Sequence, residues 1–274
     1  MILYPNAKIN IGLNIVARRE DGFHNIETIF FPVKGLCDIL EVVHIPNQEQ
    51  KVRFSQTGLM LNEPSENNLC VKAYNLLSSY IELPPVAIHL HKQIPFGAGL
   101  GGGSSDGAFT LSALNKISEN PLSNEKLLEV ALKLGSDCPF FILNETCFAS
   151  GRGEILNPIE LSLSGYHILM VNPGIHINTS KAYSHSNPKP SVYKLQQTIY
   201  SNPEQWKGVV VNDFEKVVFA LYPEIGIIKD RLYQMGAIYS AMSGSGSTVF
   251  GLFKSKPDYA EVFSDYYTFY QEIN

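Results

Sequence analysis

A chain of 274 residues, 45% hydrophobic and 17% charged, is long enough to bury one large core or two smaller ones. Its net charge of −5 offers no general cationic surface, so nucleic acid and anionic membranes are not expected partners, and any phosphate must be held by local positive potential. The four cysteines, Cys37, Cys70, Cys138 and Cys147, form no CxxC pair and no stretch approaches about 18 uninterrupted apolar residues, so the chain reads as unprocessed and cytoplasmic, in a reducing compartment.

Residues 8–16 are rich in isoleucine and partly alternate, as a strand with one face on a core does, and Lys8 and Asn10 point to the same side of it. Residues 18–22 read as a turn. Two β-rich runs follow at 28–33 and 38–44, separated by Lys34 and Gly35, which predicts an antiparallel β region. Behind Ser65 and Asn67, the residues Leu69, Ala73, Leu76, Leu77 and Tyr80 recur at helical spacing. Residues 86–91 alternate as a strand whose one face carries His89 and His91; with no further ligand nearby, they read as exposed strand residues, and no metal site is assigned.

A helix is predicted from about Ser104, with Ala108, Leu111, Leu114 and Ile117 on one face, and a second from the Ser123 cap to Gly135. Residues 151–157 read as a connection. Beyond it come a strand at 167–171, a helix capped near Asn212, another over 223–235, and strands around 243–246. A boundary near Pro158 divides the chain into domains of residues 1–157 and 158–274.

The most informative segment joins the predicted strand to the predicted helix. It runs Pro95, Phe96, Gly97, Ala98, Gly99, Leu100, Gly101, Gly102, Gly103, Ser104, Ser105. Residues without Cβ atoms let backbone N–H groups approach phosphate oxygens, and a helix amino terminus adds roughly half a positive charge, so an acidic protein can hold a nucleotide this way. The alternative is a flexible surface loop, at an entropic cost that so many glycines make unfavourable. The segment satisfies GxGxxG formally, but a dinucleotide site needs a second strand ending in an acidic residue about 20 positions on, where this chain has Asn120, Pro121, Leu122 and Ser123. No lysine follows Gly103, so it is not a P-loop, and the VAIK, HRD and DFG elements of protein kinases are missing.

Three separated segments together resemble the GHMP kinase superfamily, named for galactokinase, homoserine kinase, mevalonate kinase and phosphomevalonate kinase. These are residues 7–13 (AKINIGL), the glycine segment 95–105, and residues 242–247 (MSGSGS). Within it, RREDGFH at 18–24, GSDCPFF at 135–141, NDFE at 212–215 and LYPE at 221–224 are similar to the branch that phosphorylates a cytidylated methylerythritol. The resemblance implies an α+β fold of two domains, the N-terminal one like ribosomal protein S5 domain 2 and the C-terminal one ferredoxin-like. It implies ATP with Mg2+, bound by residues 95–105 and Asn68, and transfer of a phosphoryl group to the 2-hydroxyl of the erythritol moiety. Competing readings are a mevalonate-type or homoserine-type kinase and a catalytically silent nucleotide-binding member of the fold.

The resemblance also places Asp137 as general base with Lys8 beside it, keeping the carboxylate ionised. Taken alone, Asp137 equally suits a helix cap and Lys8 a solvated surface lysine. Asn10 is placed at the substrate, and Phe23 and His24 at the cytosine, with phenylalanine where the family has tyrosine. Tyr183 is either a second aromatic wall or a core residue, and Asn68 either touches adenine or ribose or caps its helix. Ser104 or Ser105 is assigned to assist Mg2+, whereas Asp106 is given no role. A small-molecule substrate and a monomer or weak homodimer complete the expectation.

Overall fold

The structure, a computed structural model, describes residues 1–46, 50–60, 64–191 and 194–274. The alternating first third forms β1 (Ile2–Leu3), β2 (Asn6–Arg18), β3 (His24–Cys37) and β4 (Ile39–His44). Lys34 and Gly35, expected to separate two strands, lie within β3. The break falls instead at Asp38, whose carboxylate accepts from the main-chain amides of Gln93 and Ile94. Next come β5 (Val52–Gly58), a 3-10 turn at Ser65–Asn67, α1 (Leu69–Leu77), β6 (Val86–Lys92), α2 (Gly102–Ile117), α3 (Asn124–Leu134) and α4 (Cys138–Leu143).

The remaining chain forms β7 (Cys147–Ser150), β8 (Ile155–Pro158), β9 (His167–Asn172), α5 (Thr179–Ser184), α6 (Leu195–Thr198), α7 (Phe214–Leu221), α8 (Pro223–Gln234), β10 (Tyr239–Met242), β11 (Val249–Phe253) and β12 (Tyr267–Glu272). Two further expectations are corrected. Residues 151–157 are a turn followed by β8, which pairs with β7, rather than a plain connection. Residues 243–246 are not strand but the turn between β10 and β11, where Gly244 and Gly246 take φ of 57° and 94°.

By compactness the chain forms two units interleaved in sequence. The first comprises Met1–Lys8, Pro32–Phe96 and Gly101–Glu145; the second comprises Ile9–Phe31, Gly97–Leu100 and Thr146–Asn274. The first unit carries a sheet of order β1-β4-β6-β5, antiparallel except for the parallel β5–β6 pair. The inward residues of β6, Val86, Ile88 and Leu90, are buried, as are Ala73 and Leu77 of α1 and Leu111 and Leu114 of α2. Period-2 and helical spacing thus meet in one helix-on-sheet core. On the outward face His89 and His91 are bonded to the Ser55 and Thr57 hydroxyls. No group of three or more metal-ligating residues occurs among the described residues.

The second unit carries an antiparallel sheet of order β10-β11-β9-β12. Leu169 and Val171 of β9, Phe214 and Val218 of α7, and Ile225, Ile228 and Leu232 of α8 share its core. A third sheet has the order β2-β3-β7-β8. All four cysteines are free thiols, and no described helix is long and apolar enough to cross a membrane.

Candidate active site

The glycine segment is the hand-over from β6 to α2. Helix α2 begins at Gly102, two residues before the expected start, because Gly101 at φ 70° turns the chain and accepts from the Ser105 amide to close the first turn. A helix of 16 residues therefore presents its amino-terminal N–H groups at the loop. In the second unit the Gly99 carbonyl accepts from the Ser243 hydroxyl at 2.8 Å, and a Cβ at Gly99 would run into the Ser243 carbonyl. In the first unit a Cβ at Gly101 would meet the Phe141 ring at 2.8 Å. A backbone carbonyl at Gly99 and a side-chain ring at Gly101 leave no room for a Cβ. Of the two serines, Ser105 is fully buried with its hydroxyl unpartnered, whereas Ser104 is half-buried.

Lys8, on β2, is 4% exposed, and its Nζ lies 3.7 Å from a carboxylate oxygen of Asp137. Asp137 occupies the N-cap position of α4, yet its side chain makes no capping bond to the helix. Pro139, at the start of the same helix, has no N–H to offer. The capping explanation of Asp137 therefore fails. Its side chain keeps 33% exposure against 5% for Lys8, so the carboxylate has an open side. Burial lowers the Lys8 pKa, while the neighbouring Asp137 charge opposes that shift. The adjacent Cys138 thiol is pushed up to about 12, chiefly by burial and then by the Asp137 charge, and does not compete as a proton acceptor near neutral pH.

Asn10 is buried. Its amide donates to Thr28 Oγ1 at 2.9 Å and its main-chain N–H to Ser243 Oγ at 3.2 Å. Asn212, read from sequence as a helix cap, accepts from the Phe214 amide and donates to the Met242 and Gly244 carbonyls. It thereby anchors the 242–247 turn to α7. Asn68 caps α1, accepting from the Cys70 amide at 2.9 Å, with Nδ2 3.5 Å from Gln56 Oε1.

His24 and Tyr183 stack with centroids 4.6 Å apart and planes at 12°, and Tyr183 in turn meets Phe214 edge-on. Tyr183 is therefore a wall for His24 as well as a ring packed on the core. Phe23 is 52% exposed and carries the Arg152 guanidinium 4.4 Å from its ring centroid. The loop is braced by the Arg19–Asp21 ion pair and by the Phe23 amide donating to Asp21. Burial, and then the Arg18 charge, lower the His24 pKa, which keeps the imidazole neutral at pH 7.

Sequence reasoning missed Arg152, which carries no motif, and the buried group formed by Asp38, Lys92 and Asp106. Lys92 donates to Asp38 and, at 2.8 Å, to Asp106. The signal was present: Lys92 continues the inward alternation of Val86, Ile88 and Leu90, and a lysine at a core position needs partners.

The GHMP kinases N terminal domain model matches residues 68–145, and the GHMP kinases C terminal model matches residues 192–271. The chain is 51% identical to the 4-diphosphocytidyl-2-C-methyl-D-erythritol kinase of Azobacteroides pseudotrichonymphae, over 93% of this chain and 94% of that one. It is 50% identical to the enzyme of the same name from Bacteroides fragilis, over 92% of each. Among solved structures, a 4-(cytidine 5'-diphospho)-2C-methyl-D-erythritol kinase superposes with a TM-score of 0.82 at 30% identity, covering 98% of both chains. A mevalonate kinase superposes at 0.76 with 16% identity over 100% of this chain and 99% of that one, a likeness of fold.

Proposed function

The chain belongs to the GHMP kinases, in the family of the 4-diphosphocytidyl-2-C-methyl-D-erythritol kinases, and we propose that it transfers the terminal phosphoryl group of ATP to the 2-hydroxyl of 4-diphosphocytidyl-2-C-methyl-D-erythritol, in the methylerythritol phosphate route to isoprenoids. One observation carries the chemistry: the Asp137 carboxylate is not spent on its helix, keeps an open side and faces a buried lysine. Asp137 accepts the proton of the attacking hydroxyl, and the Lys8 ammonium beside it opposes negative charge as it develops.

ATP lies on residues 95–105, its phosphates facing the α2 amino terminus, and Asn68 Nδ2 serves the ribose or adenine. The start of α2 at Gly102, which turns its first N–H groups toward the segment, is the observation that fits a polyphosphate there. Ser104 is the hydroxyl that would help to hold a Mg2+ ion bound with the nucleotide, since Ser105 is fully buried, and the ion would neutralise phosphate charge. Phe23 stacks on cytosine, neutral His24 reads its edge, Tyr183 backs His24, and Asn10 orients the substrate. The protein acts in the cytoplasm, as a monomer or weak homodimer on a small-molecule substrate, with residues 1–157 and 158–274 as its N- and C-terminal GHMP kinase domains.

The test is purified protein with Mg-ATP and a panel of alcohols, with the product identified by mass. The cytidylated methylerythritol is expected to gain one phosphoryl group. Turnover of mevalonate or homoserine in its place would overturn the substrate, and ATP binding with no turnover of any alcohol would overturn the activity.

A further inference from the structure

Asp38, Lys92 and Asp106 lie 0%, 1% and 3% exposed in the first unit, at three places that bracket the glycine segment. Asp38 Oδ1 accepts from the Gln93 and Ile94 amides, at 2.6 and 2.9 Å, immediately before the segment starts. Lys92 Nζ donates to Asp38 Oδ2 and to Asp106 Oδ2, the latter within α2 just after the segment ends. The ammonium also sits against the first residue of α2, since a Cβ at Gly102 would meet Lys92 Nζ at 2.8 Å. Thr110 Oγ1 donates to the Asp106 carbonyl one turn on, fixing the same stretch of helix.

We propose that these three side chains are an ionic clamp joining the two ends of the glycine segment, and so act as positioning residues that hold the α2 amino terminus in register for the nucleotide polyphosphate. Such a loop needs the clamp. Its glycines give the free backbone many conformations, and binding to a loosely held loop costs the ordering entropy at the moment of binding. Direct phosphate contact is left to backbone N–H groups, while the clamp works from beneath. Burial raises Asp106 well above the usual carboxylate range, with the Asp38 charge adding to the rise and Lys92 opposing it. Asp106 Oδ1 is buried without a partner. An asparagine at 106 keeps the shape and an oxygen placed to accept from Lys92. The proposal rests on the reading of residues 95–105 as the nucleotide site.

The experiment titrates the full chain with ATP calorimetrically and compares the KM for ATP with kcat. Asp106→Ala is expected to weaken ATP by about tenfold or more, with the KM for the alcohol unchanged, whereas Asp106→Asn, still able to accept from Lys92, stays within about threefold of the parent. A folded Asp106→Ala protein with parental ATP affinity overturns the clamp, and so does an Asp106→Asn protein as weak as Asp106→Ala. Should Asp106→Ala fail to fold, Asp38→Asn carries the measurement, since it keeps an acceptor for the two amides but removes the charge facing Lys92. It is expected to weaken ATP about threefold, and unchanged affinity overturns the clamp. Gly103→Val separates the two readings, because Gly103 is exposed and a Cβ there meets only Leu69, at 3.6 Å. If Gly103→Val leaves ATP affinity unchanged, the nucleotide site is elsewhere and both readings fall. If it abolishes binding while Asp106→Ala does not weaken it, the clamp alone falls.

Discussion

The first unit contains two lysine–aspartate groups built from the same chemistry and held in different ways. Lys92 lies between Asp38 and Asp106 with all three side chains at 4% exposure or less, and its donors reach both carboxylates within hydrogen-bond distance. Lys8 is also buried, but Asp137 stands off from it at 3.7 Å with a third of its side chain open. In the sealed group every carboxylate is fixed to something. In the open pair a carboxylate faces a lysine yet is left with accessible lone pairs. Catalysis needs the second arrangement, because a base locked in short bonds must break them before it takes a proton. Positioning needs the first.

The sharpest break between the two groups is kinetic. Asp137→Asn should lower kcat by about 10²–10⁴-fold, the usual share of a general base, while leaving ATP affinity near the parental value, and stopped-assay kinetics with calorimetry measures both. Parental turnover would remove Asp137 from the chemistry. In stability the order reverses. Lys92→Met leaves Asp38 buried without its cation and should cost about 3–5 kcal/mol in urea unfolding, whereas Lys8→Met leaves behind an Asp137 carboxylate that solvent reaches, and should cost about 1 kcal/mol or less. Equal losses would mean that the two groups are not different in kind.

A titration sharpens the same contrast. Burial lowers Lys8 and the Asp137 charge resists the shift, so the Lys8 ammonium should titrate below the ordinary lysine value of about 10.4, and Asp137→Asn should move it lower still. The sign for stability follows. Between the lowered folded value and the unfolded one the unfolded chain binds more protons, so this group makes the protein more stable as pH rises through that window, and less stable as it falls. Isotope-detected NMR of the lysine side chain reads the shift directly, and an upward move in Asp137→Asn would contradict it. Lys92 differs in direction, because its two carboxylates outweigh burial and raise it.

The sequence was read most accurately where period and punctuation agreed. The alternation before the glycine segment, the Ser123 cap and the helix over 223–235 all appear as β6, α3 and α8, because each rests on local chemistry. The misreadings have a common cause in contacts remote along the chain. Lys34 and Gly35 stay in β3 although they look like a turn, and residues 155–158, read as part of a connection, are a strand because they pair with β7. At 243–246 serine and glycine form a turn fixed by the Asn212 amide, some 30 residues away. The Lys8–Asp137 juxtaposition was legible only through motif resemblance, because nothing local distinguishes a reactive aspartate from a capping one. The sealed lysine was legible from alternation alone, but its two aspartates were not.

The smallest expected effect compares the two helix starts that sequence alone could not tell apart. Asn68 and Asp137 both stand at N-cap positions of helices in the first unit. Asn68 uses its side chain there, accepting from the Cys70 amide, so Asn68→Ala should cost about 1 kcal/mol of stability. Asp137 makes no such bond, so removing it forfeits no cap. What Asp137→Ala does forfeit is the charge opposite Lys8, and that loss disappears once the lysine has released its proton. Urea unfolding at a pH above the lowered Lys8 value should therefore find Asp137→Ala within about 0.5 kcal/mol of the parent while Asn68→Ala keeps its full deficit. A deficit in Asp137→Ala that persists at alkaline pH and matches that of Asn68→Ala would mean that the carboxylate holds its helix after all, and the open side on which the chemistry depends would be gone.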